Sequence, residues 1–158
     1  MGQLMLICKY IIDTSSILTQ KPNEIHRRKV HKSLWDNIDK YINDGIIVTC
    51  SEVEDEIKDD DLRQWLHSLQ CTILPIDDEI QENVIKIVNE HPKMIEFTGG
   101  TGSSSGDAFV IATAMKYSLA VITEENKNKK NKIPEICRSY GIDVMNITEL
   151  CEKEEWVF

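Results

Sequence analysis

The chain has no Cys-x-x-Cys pair, no His-x3-His spacing and no apolar stretch long enough to span a membrane. Its five cysteines, Cys8, Cys50, Cys71, Cys137 and Cys151, are odd in number and scattered. That pattern speaks against a disulfide scaffold or a zinc site, and it reads as small hydrophobes in a reduced, cytoplasmic protein. The apolar start, residues 4–12, carries Lys9 in its middle, lacks a basic leader and runs into Asp13 without an Ala-x-Ala-like cleavage site. It falls well short of the roughly 20 residues a bilayer span needs, so it is expected to form a buried strand with no membrane partner. Basic residues are also scarce: 18 Lys and Arg stand against 27 Asp and Glu, for a net charge of -9. That balance excludes a general nucleic-acid coat, because phosphate binding needs cationic side chains to displace counterions. It does not exclude an enzyme acting on nucleic acid, where metal ions neutralise the site and lysines or arginines cluster locally.

What is present suffices for one compact domain over residues 1–158, with 41% hydrophobic and 28% charged residues. Tyr10-Ile11-Ile12 and the residues before it form a nearly continuous apolar run of the kind found in interior parallel strands. Leu34, Trp35, Ile38, Tyr41 and Ile42 recur at helical spacing between Lys32 and Asn43, and Asn43-Asp44-Gly45 stops that helix. Ile46 to Thr49 predicts a second strand. Ser51 is expected to cap the next helix, with Glu54 completing a capping box. Asp59-Asp60-Asp61 introduces a further short helix, and Thr72 to Leu74 reads as a short extended piece. Asp77 or Asp78 opens a helix to about Asn89. His91 to Ser105 predicts irregular structure, including the Gly- and Ser-rich run from Gly99 to Gly106. An apolar helix follows over Ala108 to Tyr117, then a strand over Leu119 to Thr123. Pro134 sits early in a helix ended by Gly141, and Val144 to Asn146 and Thr148 to Lys153 complete a last strand and helix. Strands alternating with helices of about 10–15 residues indicate an α/β three-layer sandwich around a mainly parallel sheet.

In open α/β sheets, ligands gather outside the carboxyl ends of the strands. Asp13 ends the first strand, Glu56 lies in the helix after the second, Asp107 begins the apolar helix, and Glu124-Glu125 follow the third strong strand. Each acid alone has a bland reading as a cap or a solvated charge. Four separated segments that deliver carboxylates towards one sheet edge instead suit Mg²⁺ or Mn²⁺, which prefer oxygen ligands. Ser15 and Thr123 are candidates to hydrogen-bond an acid or a phosphate. Two basic clusters flank these segments: Arg27 and Arg28 among residues 26–32, and Lys127 and Lys129 after Glu125. Either is a candidate RNA contact, although charge runs are more often solvated surface.

Four pieces together resemble the PIN-domain nucleases, including the VapC-like toxins of toxin–antitoxin pairs. They are Tyr10-Ile11-Ile12-Asp13-Thr14-Ser15, Val53-Glu54-Asp55-Glu56-Ile57, Asp107-Ala108-Phe109-Val110-Ile111-Ala112-Thr113-Ala114 and Val121-Ile122-Thr123-Glu124-Glu125. The resemblance covers nearly the whole chain. It implies a parallel sheet flanked by helices and cleavage of RNA with Mg²⁺ or Mn²⁺. Asp13, Glu56 and Asp107 match the family's metal-binding acids, and Glu125 matches a fourth acidic position. It also implies an antitoxin protein as a partner if the chain is a toxin, and it is compatible with a homodimer. Ser15 stands where an Asn is common, and Glu125 where an Asp is common. The segment from Lys132-Ile133-Pro134 to Gly141 points to a less studied PIN subgroup. Two other functions stay open. A PIN-fold module that has lost catalysis would serve as a partner surface. A phosphatase-like hydrolase would use Asp13 as nucleophile, but that chemistry usually wants a second Asp where Ser15 stands.

Overall fold

The computed structural model describes residues 7–94 and 106–158. Five short parallel strands form one sheet in the order β3-β2-β1-β4-β5. In chain order they are β1 (Tyr10–Ile12), β2 (Ile47–Cys50), β3 (Ile73–Leu74), β4 (Ala120–Ile122) and β5 (Val144–Met145). Between them run α1 (Thr14–Leu18), α2 (Lys32–Asn43), α3 (Ser51–Glu56), α4 (Asp60–Ser68), α5 (Asp78–Glu90), α6 (Gly106–Tyr117) and α7 (Ile133–Ser139), and α8 (Ile147–Lys153) follows β5. This is the parallel α/β sandwich that the alternation of elements predicts.

β1 lies at the centre, in register with β2 through Tyr10 opposite Ile47 and with β4 through Ile12 opposite Ile122. All three residues of β1 are fully buried, as a strand covered on both faces requires. The chain first builds outward from β1 to β2 and β3, then jumps back over the sheet to β4 and β5. The reversal of direction leaves a crevice at the carboxyl ends of β1 and β4, the place where such sheets bind ligands.

The helix that carries most of the return is α6. Its residues are buried nearly all round, from Gly106 and Asp107 through Ala114, so it is an internal helix rather than an amphipathic surface one. Thr113, fully buried on it, turns its hydroxyl back to the Phe109 carbonyl at 2.7 Å, a local partner that makes its burial tolerable. By contrast α2 buries Leu34, Trp35, Ile38 and Ile42 on one face and exposes the other. It ends at Gly45, whose φ of 80° is the left-handed geometry that glycine adopts without steric cost.

Four local expectations differ. β1 is shorter than the apolar run before Asp13: Ile7 and Lys9 are exposed, and residues 4–6 lie outside the described residues. Ser51 is the first residue of α3 rather than its cap, and the Cys50 position makes no side-chain capping bond. Glu54 reaches His67 Nε2 at 2.5 Å instead of closing a capping box. A capping box does form at the last helix: Asn146, expected to end a strand, accepts from Glu149 N at 2.8 Å and starts α8. The irregular stretch after α5 opens with a single 3₁₀ turn over Pro92–Met94, and the Gly- and Ser-rich run at 99–105 lies outside the described residues.

Candidate metal centre

Asp13 leaves β1 as the N-cap residue of α1, in extended geometry, yet its side chain makes no capping bond. Its carboxylate instead turns across the crevice to β4. Oδ2 accepts the Ser15 hydroxyl at 2.8 Å and the Thr123 hydroxyl at 3.0 Å. Those two hydroxyls lie 3.1 Å apart and are held in turn by backbone: Glu124 N donates to Ser15 Oγ at 3.0 Å, and Glu125 N to Thr123 Oγ1 at 3.2 Å. Asp13 is therefore fixed by the ends of both central strands.

Asp107 arrives from another direction, in the first turn of α6, and is only 5% exposed. Glu125 enters from the loop after β4, with Oε1 accepting the Ile133 N–H at 2.9 Å at the start of α7. One oxygen from each of Asp13, Asp107 and Glu125 falls within 4.8 Å of the other two. The neighbouring Glu124 is directed elsewhere. Its Oε2 accepts the Ile147 N–H at 2.8 Å at the start of α8, and His26 Nε2 lies 3.9 Å from its other oxygen.

Glu56 stands beside this trio rather than within it. It is the last residue of α3, whose final carbonyls are gathered by Arg63: Nη1 donates to Glu54 O at 2.7 Å and to Ile57 O at 3.3 Å. Thr14 donates its hydroxyl to Glu56 Oε1 at 3.0 Å. On the other side is Gly106, where an added Cβ would lie 2.4 Å from Glu56 Oε1. The first residue of α6 thus leaves the room that the Glu56 carboxylate occupies.

The electrostatics follow from packing acids together in a dry place. Burial pushes the Asp107 carboxyl up to about 9, with Glu125 and then Asp13 adding to the rise. Burial also raises Asp13, and Glu125 contributes, against the Ser15 and Thr123 hydroxyls, which favour its charged form. Glu56 is raised by burial, opposed by its bond from Thr14 and reinforced by Asp13. The ion pairs among the described residues do not include any of these four acids. A set of carboxylate oxygens with Asp13 and Asp107 buried and Glu125 half-buried fits a hard divalent cation, which would supply positive charge there.

The basic candidates divide. Arg28 belongs to the fold: its guanidinium grips Asp39 with bonds of 2.9 and 3.0 Å, donates to Gln20 Oε1, and lies against the rings of Trp35 and Trp65. Arg27 donates Nε to the Glu24 carbonyl at 3.0 Å. Lys127 pairs with Glu149 at 3.0 Å, while Lys129 is exposed. Two positions of the site went unread in the sequence. Thr14 carries no role of its own in the sequence motif, and Gly106 stands at the end of the Gly- and Ser-rich run. The Gly-Asp step at the start of an apolar helix was the available signal.

Among proteins of curated function, none is significantly similar to this chain in sequence. Among solved structures, DNA-bound VapBC from Salmonella typhimurium is 18% identical, with a TM-score of 0.56 over 89% of this chain and 98% of the other. PAE2754 from Pyrobaculum aerophilum is 12% identical, with a TM-score of 0.53 over 94% of this chain and 90% of that one. FitAB bound to a DNA fragment is 16% identical, with a TM-score of 0.52 over 87% and 94%. At these identities the likeness is one of fold, and the fold is that of the PIN domains. The sequence family described as a domain of unknown function, DUF4411, matches residues 10–158, and the chain belongs to that family.

Proposed function

We propose that this protein is a metal-dependent nuclease that hydrolyses phosphodiester bonds of RNA. One observation carries the reading: three carboxylate oxygens, delivered by three separate elements, converge within 4.8 Å at the carboxyl ends of the central strands. Asp13, Asp107 and Glu125 would hold Mg²⁺ or Mn²⁺, both of which favour oxygen donors. When bound, such a cation makes water acidic and offsets charge that builds up on a phosphate.

The remaining work falls to the chain's own groups. Thr123 and Ser15 fix the orientation of Asp13, as hydroxyl partners of a ligand do. The Ile133 N–H holds one oxygen of Glu125, so its reach is set by the start of α7. Glu56 keeps Oε1 on Thr14, which leaves Oε2 to orient the attacking water and take its proton. Burial raises its carboxyl above the ordinary glutamate range, the direction that makes it a stronger base. The fold likeness to the VapBC and FitAB assemblies supports an antitoxin protein as partner and a toxin role for the chain.

The test is cleavage of several single-stranded RNAs in Mn²⁺, in Mg²⁺ and in EDTA, with Asp107→Asn as control. Cleavage is expected with either metal, abolished by EDTA and reduced at least a hundredfold in Asp107→Asn. Equal cleavage in EDTA or in the variant overturns the proposal.

A further inference from the structure

The loop between α1 and α2 closes around a cavity of about 450 Å³. Arg27, Arg28 and Lys29 line it, and no acid does. In a chain of net charge -9, that is the reverse of the average surface. The acids nearby are engaged or stand outside the lining. Asp39 is gripped by Arg28, Asp59 pairs with Lys21 at 3.3 Å, and Glu24 is exposed on the same loop, with its carbonyl on Arg27 Nε. Asp39 offsets Arg28, so the excess charge belongs to Arg27 and Lys29. Neither the Arg27 Nη groups nor Lys29 Nζ has a partner among the described residues.

A run of basic residues is ordinarily solvated surface. This one is held in shape. Arg28 N donates to the Gln20 carbonyl at 2.9 Å and His26 N to the Thr19 carbonyl at 3.1 Å, which folds the loop back onto the end of α1. Trp35 Nε1, on α2, donates to the His26 carbonyl at 2.6 Å. Cations on a fixed frame lose less freedom when they bind. The same loop reaches the candidate metal centre, where His26 Nε2 lies 3.9 Å from Glu124, the residue before Glu125. Asp13 and Gln20 stand at the two ends of α1 and its closing turn, on the order of 10 Å apart at 1.5 Å per residue. Pro22 and Val30 add an apolar wall, with Val30 65% exposed. Single-stranded RNA matches this set, with phosphates for the cations and sugars or bases for the wall.

We propose that this cavity holds the phosphate backbone of single-stranded RNA a short distance from the acid trio, with Arg27 and Lys29 as the contacts. The inference rests on the nuclease reading for the meaning of that distance, but the contact is measured by binding alone.

The probe is a short fluorescent oligouridylate, titrated in Mg²⁺ into Asp107→Asn, so that anisotropy reads binding without cleavage. Adding Arg27→Ala and Lys29→Ala should weaken binding at least tenfold. It should also lower the slope of log affinity against log salt by about 1.4, since each single-strand phosphate contact contributes about 0.7. Lys40→Ala with Lys86→Ala removes the same charge from exposed positions outside the cavity, and should change the affinity less than threefold. Lys29→Glu alone, on an exposed side chain that the fold does not use, should also cost at least tenfold. An oligoglutamate of equal charge should compete at least tenfold more weakly than unlabelled RNA. Unchanged affinity in the Arg27 and Lys29 variants, or an equal loss in the Lys40 and Lys86 pair, overturns the inference. So does an oligoglutamate that competes as well as RNA, which would mark a surface for an acidic peptide. Binding lost in these variants beside a parent that cuts no RNA would keep the groove and remove the nuclease. Cleavage by the parent with binding unchanged in the variants would do the reverse.

Discussion

The Thr123 hydroxyl donates to Asp13 Oδ2 at 3.0 Å, so the ends of two adjacent strands hold one carboxylate between them. Thr123 is buried, and valine is close to it in shape. Thr123→Val removes the donor and should leave the strand in place. Loss of an outer hydrogen bond to a metal ligand typically costs about 10–100-fold in affinity or activity. A fall of that size in Mn²⁺ affinity by calorimetry is the expected result, and an unchanged affinity would dismiss Thr123 as an orienting group.

Gly106 faces Glu56 so closely that a methyl group must displace the carboxylate. The displaced atoms are the far end of a flexible side chain, so the fold should tolerate Gly106→Ala. The expected outcome is a Tm within about 3 °C of the parent, since Gly106 is buried but only the far end of the Glu56 side chain has to move, a cost of about 0.5–1 kcal/mol, together with a loss of RNA cleavage of at least tenfold. If thermal melting drops sharply instead, the glycine is needed for packing, and its proposed service to Glu56 is unsupported.

Protonation of Asp107, Asp13 and Glu56 links stability to pH. Asp107 is pushed up to about 9 by burial and its acidic neighbours, and Asp13 and Glu56 are raised as well. The folded chain thus retains protons that the unfolded chain releases near pH 4, so the unfolded state binds fewer protons across the interval between. Stability of the metal-free protein should therefore fall as pH rises from about 5 towards 9. Asp107→Asn, which keeps the shape without the charge, should flatten that decline and melt higher than the parent at pH 8 in EDTA. Melting curves across this range decide it, and a parent profile that rises with pH would contradict the assigned directions.

Arg28 was a candidate RNA contact, and its surroundings assign it to stability. It ties residues before α2 to Asp39 on that helix and stacks near two tryptophans. The pair is partly exposed, so solvent screening limits the ionic share, but the fork geometry and ring contacts add to it. Arg28→Ala should cost about 1–2 kcal/mol in urea unfolding, whereas Lys129→Ala, on an exposed loop, should stay within about 0.5 kcal/mol. Equal stabilities for the two variants would return Arg28 to the list of free surface charges.

Much of the site was visible in the chain because its acids stand at element boundaries. Asp13 follows three apolar residues, Asp107 opens an apolar helix, and Glu125 follows another strand, so position along the chain already predicted where each would point. Glu124 and Glu125 were harder. Adjacent acids in a loop look alike until two helices begin nearby, and only then does one take the Ile147 N–H and the other the Ile133 N–H. The capping box at Asn146 was written in the sequence as Asn-x-x-Glu and was missed because the preceding Val144-Met145 read as a longer strand.

Local patterns fixed the succession of strands and helices, since periodicity and turn chemistry act over a few residues and need no distant partner. They also settled which acids sit at strand ends. Tertiary structure alone decided the strand order β3-β2-β1-β4-β5, and with it the crevice between β1 and β4 where residues 13, 107 and 125 meet. It also decided that Glu56 sits beside Thr14 and Gly106, and that Arg28 is sequestered by Asp39. The Glu56 contacts join residues tens of positions apart, and the Arg28–Asp39 pair spans 11, so all of them form only when burial of the central strand and of the helices brings the segments together.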